Sequence, residues 1–330
     1  MLGSRTLPLA LLLLAACGPT SAPAAPAGTP SAAPSAPAAV DKAAFDAARN
    51  KAVKLQDSGA DNQEVLAALL AAHQLDPRHP GINRRLGQVY TDLRLNDQAL
   101  AAYKAVLEVQ PEDHEVLMNV VTIEVRLGQT DAALAALPPL RKDPAYAGEA
   151  RYQEAQIADQ QGRREDAEKL VADVADLSPP QAYHCRSLHG RYLTEAGDWQ
   201  AAAAEFAAAL AARPDYKEAL RGAADCARRL GHEDEAKAWD ERLELLVELT
   251  DNVYMRTPKQ AAQRRAVLEK LVAAYPAWGG AFLELADLQK KSGDGDSACK
   301  TIDAYLAAHG SEVPADQHEP LRKRFCGTSP

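Results

Sequence analysis

Aromatic side chains are scarce in this chain of 330 residues: Phe, Trp and Tyr make up 5% of it, although hydrophobic residues reach 47%. Alanine dominates the apolar set, and small apolar side chains without many β-branched runs favour closely packed helices over a sheet. Basic charge is also in deficit, with 37 Lys and Arg against 46 Asp and Glu, a net charge of −9. Such a chain lacks the phosphate-neutralising surplus on which nucleic-acid binding rests, so no nucleic acid is expected as partner. The usual chemical signatures are missing too: there is no G-x-S-x-G, no H-E-x-x-H, no phosphate loop and no C-x-x-C-H. No catalytic residue, metal or cofactor is therefore expected.

What is present is a repeat. Residues 80–113 read PGINRRLGQVYTDLRLNDQALAAYKAVLEVQPED, with Leu86, Gly87 and Tyr90, then Ala99 and Tyr103, then Pro111. Leu86, Val89 and Tyr90 share one helical face, as do Ala99, Tyr103 and Val106 on the next. Gly87 and Ala99 let the two helices approach closely, and Pro111 ends the unit. This pattern resembles the tetratricopeptide repeat, W-x2-L-G-x2-Y…A-x3-F…P over about 34 residues, with Asn83 in place of the first aromatic. Pro77, Pro111, Pro144, Pro179 and Pro214 follow one another at intervals of 34, 33, 35 and 35 residues. The resemblance covers residues 41–310 and implies an all-α, right-handed solenoid of about seven helix hairpins.

In order, the repeats run from about residues 46 to 79, 80 to 113, 113 to 147, 148 to 181 and 183 to 216, then from Lys217, and finally from 279 to 310. Asp41 is a plausible N-cap for the first helix. Between Pro214 and Pro276 the spacing is 62 residues, six short of two repeats. A long helix over 233–249, an interruption at 251–258 and a helix over 259–275 make this a seam in which one helix is missing or shortened. Residues 311–330 hold a short capping segment, which a solenoid needs to cover its last apolar face.

The first 16 residues carry Arg5 as their single charge and an apolar run from Leu7 to Ala16, too short to span a bilayer and suited to a signal peptide. Leu14-Ala15-Ala16-Cys17 resembles the bacterial lipobox, which implies lipidation of Cys17 and attachment to a membrane through that lipid. Gly18 leans toward the outer membrane, facing the periplasm. Residues 17–40 then form a tether: the six prolines, nine alanines and no charge of residues 18–40 cannot build a core. Fully extended, it reaches up to about 70 Å.

In tetratricopeptide-repeat proteins ligands lie in the concave groove lined by first helices. Carried over position by position, the outward residues are Arg84, Gln88, Met118, Thr122, Tyr152, Gln156, Arg191, Arg221 and Arg228, with Asp159, Ser187 and Asp225 among them. Met118 and Tyr152 are apolar on a face that otherwise avoids them, and Arg191, Arg221 and Arg228 suit an acidic segment of a partner protein or peptide. The clamp that some relatives use for a C-terminal carboxylate is imitated by Arg84, Gln88 and Asn119 but fails at Glu149 and Gln153.

Cys299 opens the last repeat's second helix and Cys326 lies in the tail that folds over it, so this pair is a candidate disulfide. Cys185 and Cys226 are offset by about 10 Å of helical rise and are expected as buried free thiols. Cys185 with His189 makes only half a metal site, and Asp294-Gly-Asp296 lacks the distal Glu of a calcium loop. The expected function is a lipid-anchored scaffold in the bacterial cell envelope. The alternative is an envelope hydrolase with its site at the 251–258 seam.

Overall fold

The computed structural model describes residues 41–251 and 258–326. The signal peptide, Cys17 and the tether expected from the sequence lie outside the described residues. Those that are described form sixteen α-helices and no strand, all within one compact unit. The helices are α1 (Lys42–Asp57), α2 (Asn62–Leu75), α3 (Pro80–Asp92), α4 (Asn96–Val109), α5 (His114–Arg126), α6 (Thr130–Lys142), α7 (Ala147–Gln160), α8 (Arg164–Ala172), α9 (Pro179–Ala196), α10 (Trp199–Ala212), α11 (Lys217–Arg229), α12 (Glu233–Asp251), α13 (Pro258–Ala274), α14 (Gly279–Lys291), α15 (Gly295–His309) and α16 (Ala315–Cys326). Each helix packs on the next, from the α1–α2 hairpin to α15–α16, and first helices also stack side by side, α5 on α7, α7 on α9 and α9 on α11. The result is an all-α solenoid of hairpins.

Local chemistry sets the ends of these helices. The Asp41 carboxylate accepts from Ala44 N–H at 3.1 Å, Asp113 from Val116 N–H at 3.1 Å and Asp198 from Ala201 N–H at 3.0 Å. Between the two helices of a hairpin the chain turns through a left-handed residue: Gly128, Gly162, Gly197, Gly231 and Gly293 have positive φ, and in the second hairpin Arg94 takes this conformation at φ 61°. Inside the hairpin, Gly87 of α3 faces the Tyr103 ring of α4 so closely that a Cβ would lie 2.5 Å from it.

One expectation changes and two hold. Pro179 does not end the fourth repeat; it opens α9 at its first turn, with Ser178 N–H donating to the Gln181 side chain at 3.0 Å. The preceding α8 is correspondingly short, 9 residues against 14 in α4. At the seam, α13 stands without a first helix of its own, packed between α12 and α14. One continuous core nevertheless crosses it, with Leu246 and Leu249 of α12, Val267, Leu268 and Leu271 of α13, and Leu285 of α14. Finally, Asp294 caps α15 by accepting from Ser297 N–H and pairs with Arg265 at 2.8 Å, so the Asp294–Asp296 turn is a helix–helix connection.

At the far end, Cys299 of α15 and Cys326 of α16 are joined by a disulfide, with Cα atoms 4.6 Å apart. Phe325 of the same helix covers Ala286, Ala298 and Ile302. Among the described residues no helix is long and apolar enough to cross a membrane.

Candidate functional site

A cavity of about 630 Å³ opens between α7, α9, α10 and α11. Phe206 of α10 forms its floor. The ring is buried (3% exposed) between two glycines, Gly190 of α9 and Gly222 of α11, whose missing side chains leave it room. Tyr152 and Tyr216 stand along one wall, and Trp199 along another with the Arg229 guanidinium 5.2 Å from its ring centre. Behind the tyrosines, His184 stacks on Tyr152 at 4.9 Å, meets Tyr216 edge-on at 5.2 Å, and is paired with Glu149. Burial pushes the phenol of Tyr216 up, with Tyr152 and the Glu218 carboxylate acting in the same direction, and burial likewise raises Tyr152. Both phenols are therefore neutral donors and ring surfaces rather than acids at neutral pH.

The rim is charged, and most of its charges are already matched. Arg191 lies 3.3 Å from Asp159 and 3.7 Å from Glu195. Arg228 is paired with Asp225 and, at 2.8 Å, with Asp240. An apolar floor with a polar, partly neutralised rim can hold a chain segment whose side chain enters the cavity and whose backbone meets the rim.

The groove residues expected from the sequence separate into four groups. Tyr152, Arg191 and Arg228 line this cavity, together with Ser187 and Asp225. Gln156 supports it, donating to the Tyr152 hydroxyl at 2.7 Å. Gln88 lines a different cavity of about 360 Å³, near α1 and α2. The remainder serve the scaffold or stand apart. Arg84 bridges to Asp113 and Glu115 of the next hairpin. Thr122 donates to Met118 O and accepts from Gln153. Arg221 is exposed and has no ion pair among the described residues.

Met118 is a correction. At 8% exposure it packs with Val121, Val125 and Ala133 inside the core, because a long apolar side chain at that position turns in between α5 and α6. The arginine cluster needs revision as well: Arg191 and Arg228 each carry two carboxylate partners, so an acidic segment would meet neutralised charge. Trp199, Phe206, Tyr216, Glu218, Thr194, Glu195 and Arg229 line the cavity and were absent from the sequence-derived set. Thr194 stands at the same place in its repeat as Asp159 and Arg228 do in theirs, a signal that the sequence did carry.

The thiols stay apart from this surface. Cys185 and Cys226 are free and buried, and the Cys185 thiol donates to Gly148 O at 3.5 Å. Burial raises them to about 12 and about 11 respectively.

Comparison with known proteins gives a consistent account of the repeats. Family models described as tetratricopeptide repeat match residues 84–137 and 193–245, so these segments are tetratricopeptide repeats. A peroxisomal targeting signal receptor from Candida albicans is 31% identical over 134 residues, spanning 39% of this chain and 23% of the receptor. Cellulose synthase operon protein C from Xanthomonas axonopodis is 27% identical over 259 residues, 70% of this chain and 17% of that protein. This chain thus spans under a quarter of the length of either relative. A tetratricopeptide repeat protein from Parabacteroides merdae has a solved structure at 16% identity and TM-score 0.45, covering 85% of this chain and 98% of that one.

Proposed function

We propose that this chain is a non-enzymatic adaptor that holds a peptide segment of another protein in the cavity between α9 and α11. The observation that carries this reading is the cavity itself: about 630 Å³, floored by Phe206 and walled by Tyr152, Tyr216 and Trp199 in a chain poor in aromatics. Buried aromatic surface next to satisfied polar groups is the usual anchor of protein–protein recognition. An acidic segment is not part of the proposal, since Arg191 and Arg228 are paired with carboxylates and Arg221 does not line the cavity.

The finer setting rests on the sequence alone. Lipidation at Cys17 would attach the chain to a bacterial envelope membrane, and residues 18–40 would space the array from the lipid. On this reading the protein positions its partner near the outer membrane. The alternative, a hydrolase site at the 251–258 seam, falls for all but its two end residues on 252–257, which lie outside the described residues.

Two experiments test the proposal. A photo-crosslinking residue at Thr194 should capture a partner segment in cells, while the same residue at Glu108, exposed on α4, should not. Equal yields at both positions would move the contact away from the cavity. Cys17→Ala should shift the protein from the membrane to the soluble fraction with its helicity unchanged. Retention in the membrane fraction would overturn the lipid anchor and leave the cavity reading intact.

A further inference from the structure

An offset of 103 residues lays one part of the array on another: Gly87 on Gly190, Tyr103 on Phe206, Gly128 on Gly231. The same offset lays Glu115 on Glu218, each in the first turn of its helix, α5 and α11. In the earlier copy, Arg84 of α3 spans the joint between hairpins and holds both Asp113 and Glu115, the latter at 3.0 Å. In the later copy, Ser187 stands for Arg84 and Tyr216 for Asp113. Glu218 keeps its place and has no ion pair among the described residues. The position of the missing guanidinium is open space, because Ser187, Tyr216 and Glu218 all line the cavity, with Tyr152 beside them.

Among the described residues no neighbouring cation forms an ion pair with Glu218, Arg221 and Arg229 of the same helix included, and most are held elsewhere. Arg191 is held by Asp159 and Glu195, and His184 by Glu149. Arg213 pairs with Asp215 and lies over the far ring, Tyr183. Lys217 donates to Thr250. An exposed carboxylate bordered by two neutral phenol rings is a surface that attracts a cation, by charge and by ring quadrupole together.

We propose that the Ser187–Tyr216–Glu218 corner of the cavity takes a lysine or arginine side chain of the partner's segment, whose cation occupies the place that Arg84 fills in the earlier copy. This rests on the reading of the cavity as a peptide site. The rest of the segment runs toward Phe206 and Trp199 and supplies a bulky apolar residue there. Recognition is thus by a basic–apolar segment, opposite in charge to what the arginine count suggests.

The test uses the mature chain and a displayed library of random dodecapeptides. Enriched sequences should pair a Lys or Arg with a bulky apolar residue. In synthetic versions, replacing that Lys or Arg by norleucine should weaken binding about tenfold, the worth of one charge-assisted contact. In Glu218→Gln the same replacement should change binding less than about twofold. Ser187→Arg, which restores the earlier copy's pairing from within, should block the basic peptides and keep native helicity. If Ser187→Arg fails to fold, the Glu218→Gln comparison decides alone. Enrichment of acidic or purely apolar peptides, or an equal norleucine loss in Glu218→Gln, would overturn the cation site while sparing the peptide cavity. No enrichment at all would remove both.

Discussion

Around Tyr103, α4 lays its ring on Gly87, and the following α5 closes against it with Val116, Val120 and Ile123, beside Leu100 and Val106 of α4 itself. Around Phe206, the corresponding residues are Ala219, Ala223 and Cys226 on α11, with Ala203 and Ala209 on α10. Every one is smaller, and Gly222 replaces Asn119. The glycine-on-ring contact is common to both copies, so it does not make the site. The site comes from the volume that the surrounding side chains no longer fill: the first copy is closed and bridged by Arg84, whereas the second is open and carries an unbridged Glu218. Architecture and recognition are thus set by different positions of one repeat.

Deleting the two rings should test that division most strongly. Tyr103→Ala and Phe206→Ala should each cost about 3–5 kcal/mol in urea unfolding, as large buried aromatics do. Only Phe206→Ala should also abolish peptide binding at concentrations where the variant is folded. Equal loss of binding in Tyr103→Ala would mean that the two copies are not functionally distinct.

Smaller effects should come from the glycines. Gly87→Ala drives a methyl into the Tyr103 ring, which is enclosed, and should cost about 1–3 kcal/mol. Gly222→Ala approaches Phe206 more closely still, but that ring borders a cavity and can swing into it. Gly222→Ala should therefore be the less destabilising of the two and should reduce cavity binding. The reverse order of unfolding midpoints would refute the difference in packing.

The thiols sharpen the comparison chemically, since Cys226 sits where the first copy has Ile123. With Cys185 near 12 and Cys226 near 11, neither should react with a disulfide reagent in the folded array at pH 8, and both should react in urea. Rapid native labelling of Cys226 would show that α11 opens locally. The smallest effect concerns acid. Hydrogen bonds from His114, Arg151 and Arg265 hold Asp143, Asp176 and Asp294 below the usual carboxylate range. Their folded-state pKa values are depressed, so the stability they add is present above the unfolded value, about 3.9, and is lost as pH falls through the folded one. Thermal midpoints should stay level from about pH 7 to 5 and decline below about 4, with the decline weakened in Asp176→Asn.

The repeat register was legible because it is written in residues whose local sterics are fixed. Gly87, Ala99, Tyr103 and Pro111 impose close approach, filling and termination, whereas Pro179, with the same fixed φ, opens a helix instead of closing one. The cavity was less legible, since it consists of volume left between helices that are distant in sequence. Reading outward positions one at a time found Tyr152, Arg191 and Arg228, but could not sum the small side chains of α11 against those of α10. The same limitation misplaced Met118, whose direction depends on the space available between α5 and α6. Charge pairing was hidden likewise: nothing next to Arg228 in the chain announces that Asp240, on the following helix, will neutralise it.

The Cys299–Cys326 bridge makes the array behave like a zipper with one end sewn shut. Repeat arrays come apart from their termini, because an end hairpin has a neighbour on one side only. Here α16 is tied covalently to α15, so the last described helix cannot peel away from its neighbour, whereas no such bond ties α1 to α2. The cavity, whose lining begins at Tyr152 of α7, lies beyond the first three hairpins, so an array that has begun to fray at α1 still presents a whole binding site.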